Sequence, residues 1–184
     1  LSSDGPFVTA VKGVAARFEP IPVGDKLFIK TNWQAPNSRI MVSDLASPAF
    51  ENWKELLPTS QIVLEDFTPA GGMLFVKYLD SVKTRVKVYS PEGVFVRDLS
   101  FPTLGTTGST IGRWDSDQLF VTFGSFTYPW TQFRYDLKTW ASTVFERVKI
   151  PLDPDKYVVK QIWYSSKDGT RVPMFVVHAN DLKL

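Results

Sequence analysis

Leu27-Phe28-Ile29, Leu74-Phe75-Val76 and Leu119-Phe120-Val121 are three versions of one apolar tripeptide, and their spacing decides the fold. They lie 47 and then 45 residues apart in a chain of 184 residues. Each is followed, after 11 to 13 residues, by a second alternating segment. A period of about 40–50 residues with several strands per repeat is typical of β-propeller blades. Propellers close with about four to eight blades, and this chain has room for about three.

Alternating apolar and polar residues within each repeat predict antiparallel strands joined by short turns. No amphipathic helix pattern is longer than about two turns, so the body is predicted to be all-β. One further strand is predicted at residues 7–11, and Pro20 and Pro22 are expected to break the chain before the first blade. In the first repeat the predicted strands are 27–31, 39–45 and 53–57. In the second they are 61–67, 73–79, 84–90 and 94–99, with a turn at 68–72. In the third they are 110–114, 117–123, 131–137 and 143–147.

Composition excludes several classes of function. The net charge is +2, from 21 basic and 19 acidic residues without a dense basic cluster, so we expect neither nucleic acid nor a membrane as a partner. The chain has no cysteine, which excludes disulfides and thiolate sites. No apolar run reaches the about 20 residues of a membrane helix, and no signal segment opens the chain. We expect a cytoplasmic protein, with a periplasmic location as the alternative, and no cofactor.

The sequence pattern changes after Arg147. Residues 157–164 and 171–177 alternate as strands around Asp168-Gly169, where glycine accepts the positive φ of a tight hairpin. This hairpin is out of phase with the repeat. The predicted domains are a partial propeller at 1–148, a proline-bound linker at 149–156, and the start of a second domain at 157–184. Because the first residue is Leu1 rather than Met and Leu184 ends the chain in mid-pattern, both ends are expected to be cut.

Three stretches resemble the prolyl oligopeptidase family, in the family's order and over nearly the whole chain. The run from Val159 to His178, which contains Ser166-Lys167-Asp168-Gly169-Thr170, resembles the stretch leading from the propeller into the catalytic domain. Two blade segments are also similar to family motifs: Lys30-Thr31-Asn32-Trp33-Gln34-Ala35-Pro36-Asn37-Ser38-Arg39 and Gly124-Ser125-Phe126-Thr127-Tyr128-Pro129. The resemblance implies about three blades of a seven-bladed propeller, followed by the first hairpin of an α/β-hydrolase domain.

The resemblance also implies a serine peptidase that cleaves short peptides after proline. Its partners in the complete protein would be short proline-containing peptides, the remaining blades and the hydrolase domain. No Gly-x-Ser-x-Gly nucleophile elbow occurs in the chain, and the family's catalytic residues would lie beyond Leu184. We therefore assign no catalytic, cofactor-binding or metal-binding residue, and expect the chain alone to be inactive. The alternatives are a non-catalytic propeller scaffold and an oligopeptidase B-like enzyme that cuts after basic residues.

Few polar residues are candidates for a catalytic or metal-binding role. His178 is the only histidine, and an ordinary surface histidine is the favoured interpretation. The carboxylate pairs Asp115/Asp117 and Asp153/Asp155 lack the additional ligands and the glycine turn of a calcium loop, so turn and linker roles are favoured.

Aromatic residues form the more informative group. Phe126, Tyr128 and Trp130 lie in a connection flanked by glycine, serine and proline, where they either form a domain contact or part of a binding wall, or pack between blades. Trp33, in the matching connection of the first blade, has the same two roles open. Solvent-facing or cross-strand charges are predicted at Arg39, Arg85 and Arg134.

Overall fold

The computed structural model describes residues 7–151 and 153–182, and it confirms the all-β prediction. The described residues form fourteen strands, and their only helical elements are single 3₁₀ turns at Phe50–Asn52 and Pro154–Lys156. No helix in this part of the chain is long and apolar enough to cross a membrane. The chain divides into two compact units between Phe67 and Thr68.

The first unit contains an antiparallel sheet of four strands in chain order: β1 (Phe18–Val23), β2 (Lys26–Thr31), β3 (Arg39–Asp44) and β4 (Lys54–Leu57). Its core consists of Leu27, Ile29 and Met41, against which Phe18, Leu45 and Trp53 pack. The three strands predicted from the first repeat are therefore confirmed.

The prediction for the start of the chain was wrong. Residues 7–11 form no strand, whereas Pro20 and Pro22 lie within β1 and pair with Ile29 and Leu27. A sheet accepts proline on an edge strand, where the missing N–H points away from the partner. The two prolines are two residues apart, so they share one orientation and both fit this edge.

Two more four-stranded antiparallel sheets follow. They contain β5 (Val63–Ala70), β6 (Met73–Asp80), β7 (Lys83–Tyr89) and β8 (Phe95–Asp98), and then β9 (Thr106–Gly112), β10 (Gln118–Gly124), β11 (Thr131–Asp136) and β12 (Ser142–Arg147), each in chain order. The predicted turn at 68–72 is shorter in the structure, because β5 continues to Ala70. The first strand of the third sheet, β9, begins at Thr106, four residues before the predicted start, since its pairing with β10 continues beyond a register shift.

The apolar tripeptides lie on the second strand of each sheet, as predicted for the second and third repeats, whereas in the first repeat β1 precedes the strand that was predicted to be first. Phe28 and Phe75 are each 1% exposed, but Phe120 at the matching position is only partly buried. In the second unit, one core joins the second and third sheets, with Phe75, Val86 and Val88 on one side and Leu119 and Val121 on the other. Phe120 lies between Leu119 and Val121 on β10 and points to the opposite face of the sheet from them, because side chains alternate along a strand.

The predicted hairpin is present as β13 (Tyr157–Ser165) and β14 (Arg171–Ala179). Gly169 has a φ of 84°, as the Asp-Gly turn requires. In the preceding segment the structure describes the turn at Pro154–Lys156, whereas Leu152 lies outside the described residues, as do Leu1 and Leu184.

Candidate functional site: an aromatic cavity beside the hairpin

Three segments that are distant in sequence meet in the second unit. They are the β6–β7 turn, the β10–β11 connection and the β13–β14 hairpin. The Gln161 Nε2 donates a hydrogen bond of 2.6 Å to the Ser81 carbonyl, which joins the hairpin to the β6–β7 turn. The rings of Phe126 and Phe175 lie 5.3 Å apart between centroids, which joins the hairpin to the β10–β11 connection.

These contacts border a cavity of about 330 Å³. Its principal walls are Val82, Leu104, Phe126, Tyr128, Trp130 and Phe175. Most of this surface is apolar and aromatic, which is the composition of typical small-molecule and side-chain pockets. The cavity can therefore hold an apolar group, and none of its principal walls carries a carboxylate, an imidazole, an amine or a guanidinium.

Glycine permits the close packing behind this cavity. A Cβ atom on Gly105 would lie 2.3 Å from the Gly124 carbonyl oxygen, and one on Gly124 would lie 3.0 Å from the Trp130 ring. Any larger residue at Gly105 would push the two backbones apart, and any larger residue at Gly124 would displace the indole. The flat wall that Trp130 presents thus depends on the two glycines behind it.

The β6–β7 turn is conformationally strained. Ser81 and Val82 have φ values of 52° and 65°, in the left-handed region that favours glycine and asparagine. A β-branched residue is a true outlier there, and such outliers concentrate at functional contacts. Ser81 and Val82 both face the site, one through its carbonyl and the other as a cavity wall. The strands predicted at 73–79 and 84–90 imply a turn here, but its strain and its part in the site were not predicted, because it contains neither residue of the usual Asn-Gly signal.

The structure separates the roles of the three aromatic candidates. Phe126 is 69% exposed and contacts the hairpin. Tyr128 packs inward, with its ring 6.0 Å from that of Phe123, and it also forms part of the cavity wall. Trp130 is 50% exposed at the cavity. Tyr128 therefore takes the packing role, whereas Phe126 contacts the hairpin, which is predicted to begin a second domain.

Arg147 lies over the ring of Tyr128, which forms part of the cavity wall. Its guanidinium carbon is 4.7 Å from the centre of the Tyr128 ring, and its Nη2 also donates a hydrogen bond to the Tyr128 hydroxyl. A cation over an aromatic face is attracted by the negative face of the ring. This contact places the guanidinium beside a residue that lines the cavity.

In the first unit, Trp33 has a packing role. Its ring lies 4.8 Å from that of Phe50, and the Arg39 guanidinium is 4.8 Å from the Trp33 ring centre. Arg39 also pairs with Glu55 across the sheet at 2.9 Å. Trp33 therefore belongs to a local aromatic cluster rather than to the cavity.

The remaining predicted arginines are surface charges. Arg85 lies 3.4 Å from Asp80 and 3.5 Å from Asp98 on the neighbouring strand, so it is a cross-strand charge. Arg134 is exposed on β11.

The acidic candidates serve turns and ion pairs. Asp115 pairs with Arg113 at 2.9 Å, and this neighbour lowers the pKa of the Asp115 carboxyl. Asp117 pairs with Lys138 at 2.6 Å. Asp153 accepts a hydrogen bond from the Asp155 amide and so caps a 3₁₀ turn. Within residues 7–151 and 153–182, no group of three or more acidic or histidine side chains is arranged to hold a metal ion.

His178 lies near the end of β14 and is partly buried. Its Nδ1 donates to the Ala179 carbonyl at 2.8 Å, because a carbonyl can only accept. Its Nε2 is buried, with no hydrogen-bond partner among the described residues. No serine or carboxylate is hydrogen-bonded to this ring, so the described residues contain no Ser-His pair at this position.

Comparison with known proteins places the fold in a family. The sequence profile for the prolyl oligopeptidase N-terminal β-propeller domain matches residues 1–148. Prolyl endopeptidase from Elizabethkingia miricola is 30% identical over 160 residues, which make up 87% of this chain and 23% of that protein. The dual-function macrocyclase-peptidase POPB of Galerina marginata is 32% identical over 165 residues, or 87% of this chain and 22% of that protein. The chain thus spans less than a quarter of the length of these relatives.

Solved structures agree with this result. Apo prolyl oligopeptidase B from Galerina marginata matches all of this chain and 27% of its own, with a TM-score of 0.87 and 29% identity. The same protein has been solved with a 35mer hydrolysis and macrocyclization substrate, matching 100% of this chain and 26% of its own, with a TM-score of 0.79 and 29% identity. Oligopeptidase B from Trypanosoma brucei shares the fold alone, with a TM-score of 0.72 and 20% identity over 92% of this chain and 26% of its own.

The three repeated sheets, the core shared by the second and third of them, and the profile match over most of the chain lead to one assignment. This chain belongs to the prolyl oligopeptidase N-terminal β-propeller domain family.

Proposed function

We propose that this chain gates substrates in a prolyl oligopeptidase-type serine endopeptidase that cleaves short peptides after proline. In this proposal residues 1–148 supply the C-terminal blades of the propeller and 149–156 are a linker. Residues 157–184 begin the α/β-hydrolase domain, and the catalytic residues lie outside this chain. We also propose a cytoplasmic location, with the periplasm as the alternative that cell fractionation would test.

The observation that carries this proposal is the docking of the hairpin on the blade connections. Gln161 and Phe175 are in the segment similar to the start of a hydrolase domain, and they contact Ser81 and Phe126 at the ends of two blades. A propeller fixed in this way to a hydrolase sheet would cover the active site. Peptides would then have to pass between or through the blades, which a folded domain is too wide to do.

Additional blades are supported by the uncovered face of the third sheet. Phe120 and Phe145 pack edge-to-face at 5.1 Å, yet Phe145 is 58% exposed. Ile111 on the neighbouring strand is exposed as well. An apolar sheet face of this kind is normally covered, as it is between blades of one ring.

The test is the cleavage specificity of the complete protein that contains this chain. We expect fragments of a mixed peptide library, identified by mass spectrometry, to end in proline, and a serine-directed inhibitor to abolish the cleavage. Fragments ending in lysine or arginine would contradict the proline specificity and indicate an oligopeptidase B-like enzyme. No inhibitor-sensitive cleavage would contradict the peptidase proposal and favour a binding scaffold.

A further inference from the structure

One threonine binds three consecutive residues across the boundary between the second and third sheets. Thr84 is the second residue of β7 and is only 9% exposed. Its amide donates a hydrogen bond of 3.1 Å to the Gly105 carbonyl, and its hydroxyl oxygen accepts one of 3.2 Å from the Thr107 amide. The same hydroxyl lies 3.0 Å from the Thr106 hydroxyl. Because its oxygen already accepts from Thr107, the Thr84 hydroxyl can donate its own proton to Thr106.

These contacts fall where β9 needs partners. Among the described strands, β9 lies at one edge of the third sheet, so the backbone groups on its outer side have no strand to pair with. At Thr107 the second sheet supplies both partners, because Thr84 accepts from the amide and the Lys77 Nζ donates to the carbonyl at 3.4 Å. Thr107 is 4% exposed, and a buried backbone group that is left unpaired is costly. The Thr84 hydroxyl therefore replaces a neighbouring strand at this edge.

The segment that Thr84 holds forms one wall of the cavity beside the hairpin. Gly105 and Thr106 both line this cavity. Trp130, on another wall, packs against the same strand, since a Cβ atom on Gly108 would lie 3.6 Å from its ring. A movement of the start of β9 would thus change both the shape of the cavity and the surroundings of Trp130.

We propose that Thr84 is a positioning residue, whose hydroxyl fixes the start of β9 against β7 and thereby sets the shape of this cavity. The hairpin contributes Phe175 to the cavity, so Thr84 acts on the seat of the hairpin through the cavity walls. All of these contacts lie within one compact unit of the chain, and the role holds whatever the complete protein cleaves.

Thr107 provides a matched comparison for this role. Its own hydroxyl is also buried, but it has no hydrogen-bond partner among the described residues. Thr84→Val keeps the branched shape and leaves the buried Thr107 amide unpaired, which destabilises the start of β9. Thr107→Val removes a hydroxyl that bonds nothing and keeps both backbone hydrogen bonds of this residue. The first substitution is expected to loosen β9, and the second is expected to leave it in place.

The first experiment measures amide hydrogen exchange of the complete protein by mass spectrometry. In Thr84→Val we expect the segment around Thr107 to lose about tenfold in protection, as for one lost hydrogen bond. Thr84→Ser, which keeps the oxygen, and Thr107→Val should both retain the protection of the wild type. Unchanged protection in Thr84→Val would overturn the proposal. Equal losses in Thr84→Val and Thr107→Val would overturn it as well, because they would show that a threonine at either position serves only to pack.

The second experiment tests whether the cavity responds. The complete protein is labelled with 5-fluorotryptophan, and the ¹⁹F signal of Trp130 is assigned with Trp130→Phe. Thr84→Val should shift this signal, whereas Thr84→Ser and Thr107→Val should not. A residue that matters for stability alone would leave the signal of the folded protein in place, so an unshifted signal in Thr84→Val would overturn the positioning role.

Thr84→Ser keeps the proposal testable if Thr84→Val does not fold. A serine with the Trp130 signal and the protection of the wild type would support the role of the hydroxyl. A serine that shifts the signal would contradict that role, because the oxygen is retained.

This inference and the proposed function fail separately. A complete protein that cleaves no proline-containing peptide contradicts the proposed function and leaves the expected effects of Thr84→Val unchanged. A protein that cleaves such peptides, but whose protection and Trp130 signal do not respond to Thr84→Val, contradicts only the positioning role.

Discussion

At the scale of single residues, the buried tyrosine Tyr135 gives a measurable pH dependence. Its hydroxyl donates to the Ser100 carbonyl at 3.0 Å, and burial raises the pKa of Tyr135 from 10.0 to about 12. Because the folded state favours the neutral phenol, its contribution to stability is complete below pH 10. It is lost as the pH rises through about 12, where the unfolded chain ionises first.

For Tyr135→Phe we expect the free energy of unfolding at neutral pH to fall by about 1 kcal/mol, the net value of a lost hydrogen bond. The variant should also lose less stability than the wild type between pH 10 and 12. Urea unfolding over this pH range measures both effects, with the exposed Tyr164→Phe as the control. Parallel pH curves for wild type and Tyr135→Phe would contradict this explanation.

Residue types alone predicted the roles of charged side chains better than those of aromatic ones. The cross-strand roles of Arg39 and Arg85 follow from local sequence, since their partners lie on the next strand. The structural role of Phe126 depends on its contact with Phe175, which is 49 residues further along the chain. Local patterns contain no information about such a partner.

At the scale of elements, the strained β6–β7 turn is a place where a substitution is predicted to raise the stability of the fold rather than lower it. Asn-Gly is the preferred pair where both turn residues have positive φ, and each ordinary residue there costs about 1–2 kcal/mol. We expect the double substitution Ser81→Asn, Val82→Gly to raise the free energy of unfolding by about 1 kcal/mol, after the entropy of glycine is counted. The Ser81 carbonyl, which Gln161 contacts, belongs to the backbone and is retained.

Thermal unfolding of the double variant tests this, with Ser81→Asn alone as the intermediate step. A lower melting temperature for the double variant would mean that the Val82 side chain stabilises the fold more than its backbone strain destabilises it. That result would contradict our account of the turn.

The strands were largely predictable because their two-residue alternation is a local property. The exceptions have physical causes: β1 tolerates Pro20 and Pro22 only because it is an edge strand, and which strand lies at an edge depends on the rest of the sheet.

The site could be predicted only in part. Its β10–β11 connection was recognised from its aromatic residues, but the β6–β7 turn is joined to the β13–β14 hairpin through a hydrogen bond between Gln161 and Ser81, which are 80 residues apart in sequence.

At the scale of the whole molecule, the uncovered face of the third sheet predicts self-association of the isolated chain. Apolar faces that a neighbouring blade would cover are expected to pair with each other instead. We expect sedimentation velocity to show oligomers, and Phe120→Ser combined with Phe145→Ser to reduce them. Val8→Ser, which changes an exposed residue outside the sheets, is the control. A monodisperse monomer of the unaltered chain would contradict this prediction.

The central proposal is that these blades restrict the access of substrates by size. The most direct test measures kcat/KM of the complete protein for nested peptides that share one proline site and extend from a few residues to an unfolded protein. Our account predicts that kcat/KM falls steeply once the peptide is too long to enter, and that the same site within a folded domain is not cleaved. A kcat/KM independent of length, with cleavage of the folded domain, would show that the propeller does not gate the substrate.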